Sequence, residues 1–184
     1  MKIPTPRIIC CLLLLGLPAA LWAADSMQDI ADRLLIRELM DRYGLVHDSG
    51  SPEEYADLFT VDGEIAVAPG AAPVVKGREG LLAQARRDHE RFGNEPAPGG
   101  KTTSIMRHLI SNAQITLTGK NTATGTCYVT TVVKKGDLGP QILSISRYTD
   151  RYTKQNGGWR IQRREITIEQ GNGELGRQLG FGAR

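Results

Sequence analysis

The sequence predicts an α+β fold in which three helices come first and a long antiparallel meander follows, with the helices packed on one face of a curved sheet. Apolar residues in the first half recur at helical spacing. The second half holds four β-rich runs separated by turn signals at hairpin spacing. The length of 184 residues, with 40% hydrophobic and 23% charged residues, suits one domain with a sizeable core.

The first stretch lies outside that domain. Lys2 and Arg7 make a basic start, Ile8 to Leu17 is apolar except for Gly16, and small residues follow at Ala19, Ala20, Ala23 and Ala24. This is the layout of a secretory signal peptide, residues 1–23, with an apolar run too short to span a bilayer. The expected location is periplasmic or secreted, with no membrane contact after cleavage. Cys10 and Cys11 leave with the signal, so Cys127 has no partner for an internal disulfide and reads as a buried small hydrophobe. The formal charge of +3 drops by two when Lys2 and Arg7 are removed, which argues against nucleic acid or an anionic surface as partner.

The domain is expected over residues 24–170. Ile36, Met40, Tyr43 and His47 share one helical face, widened by Leu35, Leu39 and Val46, which predicts a helix over 27–48 ending at Gly50. Ser51-Pro52-Glu53-Glu54 is a capping box with proline at the first helical position, so a short second helix follows, with Tyr55, Leu58 and Phe59 on its apolar side. Asp62-Gly63 turns the chain into a short strand over Glu64 to Ala68. Gly77 to Arg91 predicts a third helix, and Gly93 to Gly100 a loop. The strands are expected over 103–118, 122–134, 141–154 and 158–170, and the Gly-rich tail from 171 to 184 is expected to be loose.

A few side chains could carry chemistry. Asp48 falls in or just after the last turn of the first helix, where the helix dipole disfavours a carboxylate unless a partner compensates. His108 lies on a strand; strict alternation puts Met106, Ile110 and Asn112 on its face and Ile105, Leu109, Ala113 and Ile115 on the other. Polar groups in such a half-buried stretch need partners. Tyr43 and His47 lie one turn apart on the apolar face of the first helix, and His89 reads as exposed. A metal site from His47, Asp48 and His108 is conceivable, but the sequence has no His-x-x-x-His pair, CxxC, phosphate loop or Gly-x-Ser-x-Gly elbow, and neither metal nor cofactor is expected.

Tyr43-x-x-x-x-Asp48, the short helix ending near Phe59, Asp62-Gly63, Gly77-Arg78-Glu79-Gly80, His108-Leu109-Ile110-Ser111-Asn112, Tyr148-Thr149-Asp150 and Gly158-Trp159-Arg160-Ile161 follow one another in a familiar order. Over residues 27–170 the chain resembles the SnoaL-like group of the nuclear transport factor 2-like superfamily, which includes scytalone dehydratase, bile acid 7α-dehydratase and hexachlorocyclohexane dehydrochlorinase. The resemblance implies a cone-shaped sheet with the three N-terminal helices on its concave face, enclosing a pocket for a small apolar molecule. It implies an Asp48–His108 dyad, Tyr43 as hydrogen-bond donor, and a homodimer or small homo-oligomer. Tyrosine, where the dehydrochlorinase has a lysine, points to elimination of a hydroxyl and not a halide. His47, Arg107, Asn112, Tyr128, Arg147 and Tyr148 are the candidate substrate-binding residues. The expected activity is a cofactor-independent lyase of dehydratase type. An isomerase using the same base, a small-ligand binder and a dimerising module are the alternatives.

Overall fold

The structure, a computed structural model, describes residues 26–92, 95–96, 102–103, 105–135 and 138–180. The expected signal segment lies outside them, as do residues 93–94 and 97–100 of the expected loop. Among the described residues no helix is long and apolar enough to cross a membrane.

Helix α1 (Met27–Ser49) starts at a capping box in which Ser26 and Asp29 satisfy each other's backbone N–H groups. Ser51 and Glu54 form a second box at the start of α2 (Pro52–Ala56), with proline pre-set for the first turn. Strand β1 (Phe59–Ala66) begins five residues before the expected strand, and β2 (Val75–Lys76) leads into α3 (Gly77–Phe92). Two short strands, β3 (Glu95–Pro96) and β4 (Thr102–Thr103), pair with each other. The meander is β5 (Met106–Gly119), β6 (Thr122–Lys135), β7 (Leu138–Gln155) and β8 (Gly158–Gly171).

The main sheet has the order β2-β1-β8-β7-β6-β5. All neighbours are antiparallel except β1 and β8, which run parallel because the helical segments carry the chain from β1 to the far edge before the meander returns. The expected all-antiparallel sheet is therefore mixed at one pair. The helices pack on one face of this curled sheet, around a core that includes Ile36, Met40, Tyr43, Tyr55, Phe59, Leu81, Val129, Tyr152 and Ile161. Leu35, expected within the apolar stripe, is 45% exposed.

Two irregularities decide which residues face inward. In β5 the register shifts between Ser111 and Gln114, and Asn112 takes φ 53°. This is a bulge, which bends a strand and swaps its faces. Inward positions therefore run Met106, His108, Ile110 and then Ala113, Ile115, Leu117. A second shift, where β8 passes from Ile161 to Arg163 opposite Tyr152 and Arg151, turns Arg164 into the core and Arg163 to the other face, where it pairs with Glu64 and Glu165.

The segment after Gly171 differs from the expected loose tail. Asn172 caps a short helix α4 (Gly173–Gln178), whose Leu175 joins Phe92, Met106, Val133 and Leu143 in a second apolar cluster at the open end of the sheet. Arg91 of α3 donates to the carbonyls of Leu179 and Gly180 and ties this segment down.

Candidate active site

The last turns of α1 lie directly against β5. Gly44 permits this: a Cβ there would meet the His108 carbonyl oxygen at 2.7 Å. Four residues on, Asp48 faces the same strand. Its Oδ1 accepts from His108 Nδ1 at 2.7 Å, and its Oδ2 accepts from the His108 backbone N–H at 2.8 Å. One carboxylate thus holds the ring and the main chain of one residue. These donors are the compensation that a carboxylate at a helix C-terminus requires. Both side chains are 6% exposed. An ionised carboxylate can only accept, so the Nδ1 proton is fixed and Nε2 carries the lone pair. Nε2 has no protein partner among the described residues.

A second His–Asp pair lies beside the first. The His47 ring stacks on His108 with centroids 4.6 Å apart and an interplanar angle of 26°. His47 Nε2 lies 3.0 Å from Asp88 Oδ2 of α3. Burial, reinforced by the neighbouring His108, holds His47 below its ordinary pKa. His89 is half-buried, not exposed as expected; its Nε2 lies 3.3 Å from the His47 carbonyl.

Beneath the dyad is a layer of aromatic rings and one cation. Tyr43 is 1% exposed and stands edge-on to His108 and Tyr148, at 6.2 and 6.0 Å. The Arg164 guanidinium lies 3.9 Å from the Tyr43 ring centroid and 4.7 Å from that of Tyr148. Asp150 holds Arg164 through two bonds of 2.8 and 2.6 Å and also accepts from the Tyr152 hydroxyl at 2.6 Å. Burial works against the Arg164 charge, but the Asp150 carboxylate outweighs it and keeps the group protonated. Burial, with Tyr43 alongside, pushes the Tyr148 hydroxyl well above the usual phenol value, so it remains a donor.

A cavity of about 470 Å³ opens over the dyad. His47, Asp88 and His108 form its polar wall, together with Gln84, Thr131, Ser144 and Ser146. Phe92, Met106, Leu143, Tyr148, Ile166 and Ile168 make the rest largely apolar, and Gly171 to Gly173 and Gly176 form part of the rim. Such a lining suits a small, mostly apolar molecule. Among the described residues no three His, Cys, Asp or Glu side chains are arranged to hold a metal ion.

The structure brings Asp48, His108, His47 and Tyr148 together here. Tyr43 adjoins them but does not line the cavity, because the surrounding rings cover it. Four candidates lie elsewhere. Arg107 is on the outer face by strand alternation, and its guanidinium donates to the Met106 carbonyl. Asn112 is turned outward by the bulge. Tyr128 and Arg147 also face outward, stacked on each other at 5.8 Å, with Arg147 ion-paired to Glu169. Asn112, Tyr128 and Arg147 line a separate outer depression. Sequence reasoning missed Asp88 and Arg164. Asp88 was hidden in the charged end of α3. Plain alternation from Trp159 and Ile161 would have chosen Arg163 in place of Arg164.

The fold and this pocket are of the SnoaL-like type. The SnoaL-like domain profile matches residues 28–165, and the chain belongs to that family. Among solved structures it is similar to a variant of Rv3472, a protein of unknown function from Mycobacterium tuberculosis, with 28% identity, TM-score 0.63 and 77% and 78% of the two chains covered. A scytalone dehydratase-like protein from Novosphingobium aromaticivorans shares the fold at 22% identity and TM-score 0.63, over 79% and 89% of the chains. A hexachlorocyclohexane dehydrochlorinase, LinA type 2, shares it at 15% identity and TM-score 0.62, over 80% and 92%. No curated protein matches the chain.

Proposed function

We propose that this chain is a cofactor-independent lyase of dehydratase type, acting on a small, mostly apolar, hydroxylated cyclic compound. The observation that supports it most is the Asp48 grip on His108 at the wall of an apolar cavity. In this reading His108 Nε2 takes a proton from a carbon next to a carbonyl. The C–H electron pair becomes the new double bond, and the C–O bond breaks with its electrons leaving on oxygen. The departing hydroxyl takes the proton back from the imidazolium and leaves as water. Asp48 holds the tautomer and stabilises the cation as it forms. Tyr148, which lines the cavity as a protonated hydroxyl, replaces Tyr43 as the donor to the developing negative charge. Tyr43 acts one layer below, against Arg164.

The test is turnover of a panel of neutral β-hydroxy cyclic ketones, followed by ultraviolet absorbance of the conjugated product. His108→Ala should lose turnover by roughly 10²–10⁴-fold with an unchanged circular dichroism spectrum. Equal turnover in the two proteins would sink the mechanism. Isomerisation by the same base begins with the same proton abstraction and would appear as a shifted double bond without loss of water.

Export through residues 1–23 is part of the proposal, resting on the basic start, apolar run and small residues of the sequence. A mature N-terminus near Ala24 in the secreted or periplasmic fraction is the expected result; a full-length chain retained in the cell would contradict it.

A further inference from the structure

The two His–Asp pairs differ in what they show to the cavity. In the first, both side chains are 6% exposed and only the imidazole of His108 lines the cavity, with Asp48 behind it. In the second, both partners line it, and Asp88 is the more open, at 25% against 6% for His47. His47 Nδ1 is buried with no hydrogen-bond partner. A protonated ring would bury an N–H there with no acceptor, so the ring is neutral and its proton sits on Nε2, donated to Asp88 Oδ2. That leaves Asp88 Oδ1 without a protein partner among the described residues. Asp88 is also the one carboxylate lining the cavity among them, and no lysine or arginine lines it. Asp88 Oδ1 lies on the polar wall of a cavity whose remaining lining is largely apolar, and among the described residues no side chain donates to it.

We infer that Asp88, positioned by His47, is the specificity-determining acceptor of this cavity and selects neutral ligands that present a hydroxyl donor toward α3 while excluding anions. The inference rests on the cavity being the ligand site of the proposed lyase and narrows its substrate class. The substrate carries a hydroxyl donor in addition to the group that reacts at His108, and has no carboxylate or phosphate. A site built to bond a hydroxyl discriminates strongly against analogues without one, because its own buried group is then left unpaired.

Three probes of one ring shape separate the terms: 2-naphthol, naphthalene and naphthalene-2-carboxylate, with affinities measured by equilibrium dialysis near neutral pH. The wild-type protein should bind 2-naphthol roughly tenfold or more tighter than either of the others. Asp88→Asn should narrow the gap to naphthalene and relax the exclusion of the carboxylate. His47→Phe, which keeps a ring in the stack but removes the donor, should lose the preference. His47→Gln, whose amide can donate to Asp88, should retain it, which a purely packing role for His47 would not produce. Equal affinities for 2-naphthol and naphthalene, no binding of 2-naphthol, or a preference that survives Asp88→Asn would overturn the inference. Turnover in His108→Ala speaks to the lyase reading alone, whereas the affinity ranking speaks to this one, so either can fail without the other.

Discussion

A carboxylate in the last turn of a helix is repelled by the carbonyl ends around it, so Asp48 needs strong donors to stay there. His108 provides two, one from the ring and one from the main chain. The same bonds set the chemistry, since they fix which nitrogen of the ring is basic. Asp48→Asn tests this: the amide N–H would face His108 Nδ1 and favour the other tautomer, putting a proton on the nitrogen that should act as base. Activity is expected to fall by roughly 10²–10⁴-fold with the fold retained, and kinetics with circular dichroism check both. Arg164 and Asp150 form a buried pair whose value lies in geometry more than in net stability. Asp150→Asn should cost about 3–5 kcal/mol because it strands a buried cation, measured by urea denaturation. Cys127 is a buried thiol, and burial raises its pKa to about 11. In protein beginning at Ala24 it should therefore react with a thiol reagent at neutral pH only after denaturation; a thiol that titrates in the native state would contradict the fold around it.

At the scale of elements, the site depends on how closely α1 approaches β5. Gly44→Ala would place a methyl group 2.7 Å from a backbone oxygen, and backbone cannot step aside as a side-chain end can. The clash should outweigh the better helix propensity of alanine, lowering stability by about 1–3 kcal/mol and displacing His108. Gly80 in α3 is the control: a Cβ there meets only a Val75 methyl at 3.4 Å. Gly80→Ala should therefore stabilise the protein by up to about 1 kcal/mol. Thermal denaturation of the two variants gives opposite signs if the packing is as described. The helices, caps and meander were legible in the sequence because periodicity, capping boxes and turn residues are local signals. The dyad was legible through the misplaced carboxylate and the family resemblance. The strand faces beyond residue 110 were not, because a single bulge at Asn112 inverts every later position. The same limit hid Arg164. The parallel pairing of β1 with β8 depends on long-range packing, for which no local residue is a signal.

Across the whole molecule, α4 and the second apolar cluster close one end of the curled sheet, while the dyad and its neighbours form the wall of the cavity. Titration links this interior to stability. His47 has a folded-state pKa below its ordinary 6.5, so the unfolded chain binds its proton first as pH falls. The stability this contributes is present in full above about 6.5 and is lost as pH drops from there through the lower folded-state value. Urea midpoints should fall from pH 7 to pH 5, and His47→Phe should flatten the slope in that window. A slope unchanged in the variant would mean that another group carries it.

The central claim is that His108 removes a proton from carbon in this cavity, the event shared by elimination and isomerisation. Release of deuterium from neutral β-hydroxy cyclic ketones labelled at the carbon next to the carbonyl, followed by proton magnetic resonance in ordinary water, tests it without depending on which product forms. Wild-type protein should remove the label from that carbon, and His108→Ala should remove it only at the uncatalysed rate. Release at the same rate in both proteins, or in neither, would contradict it.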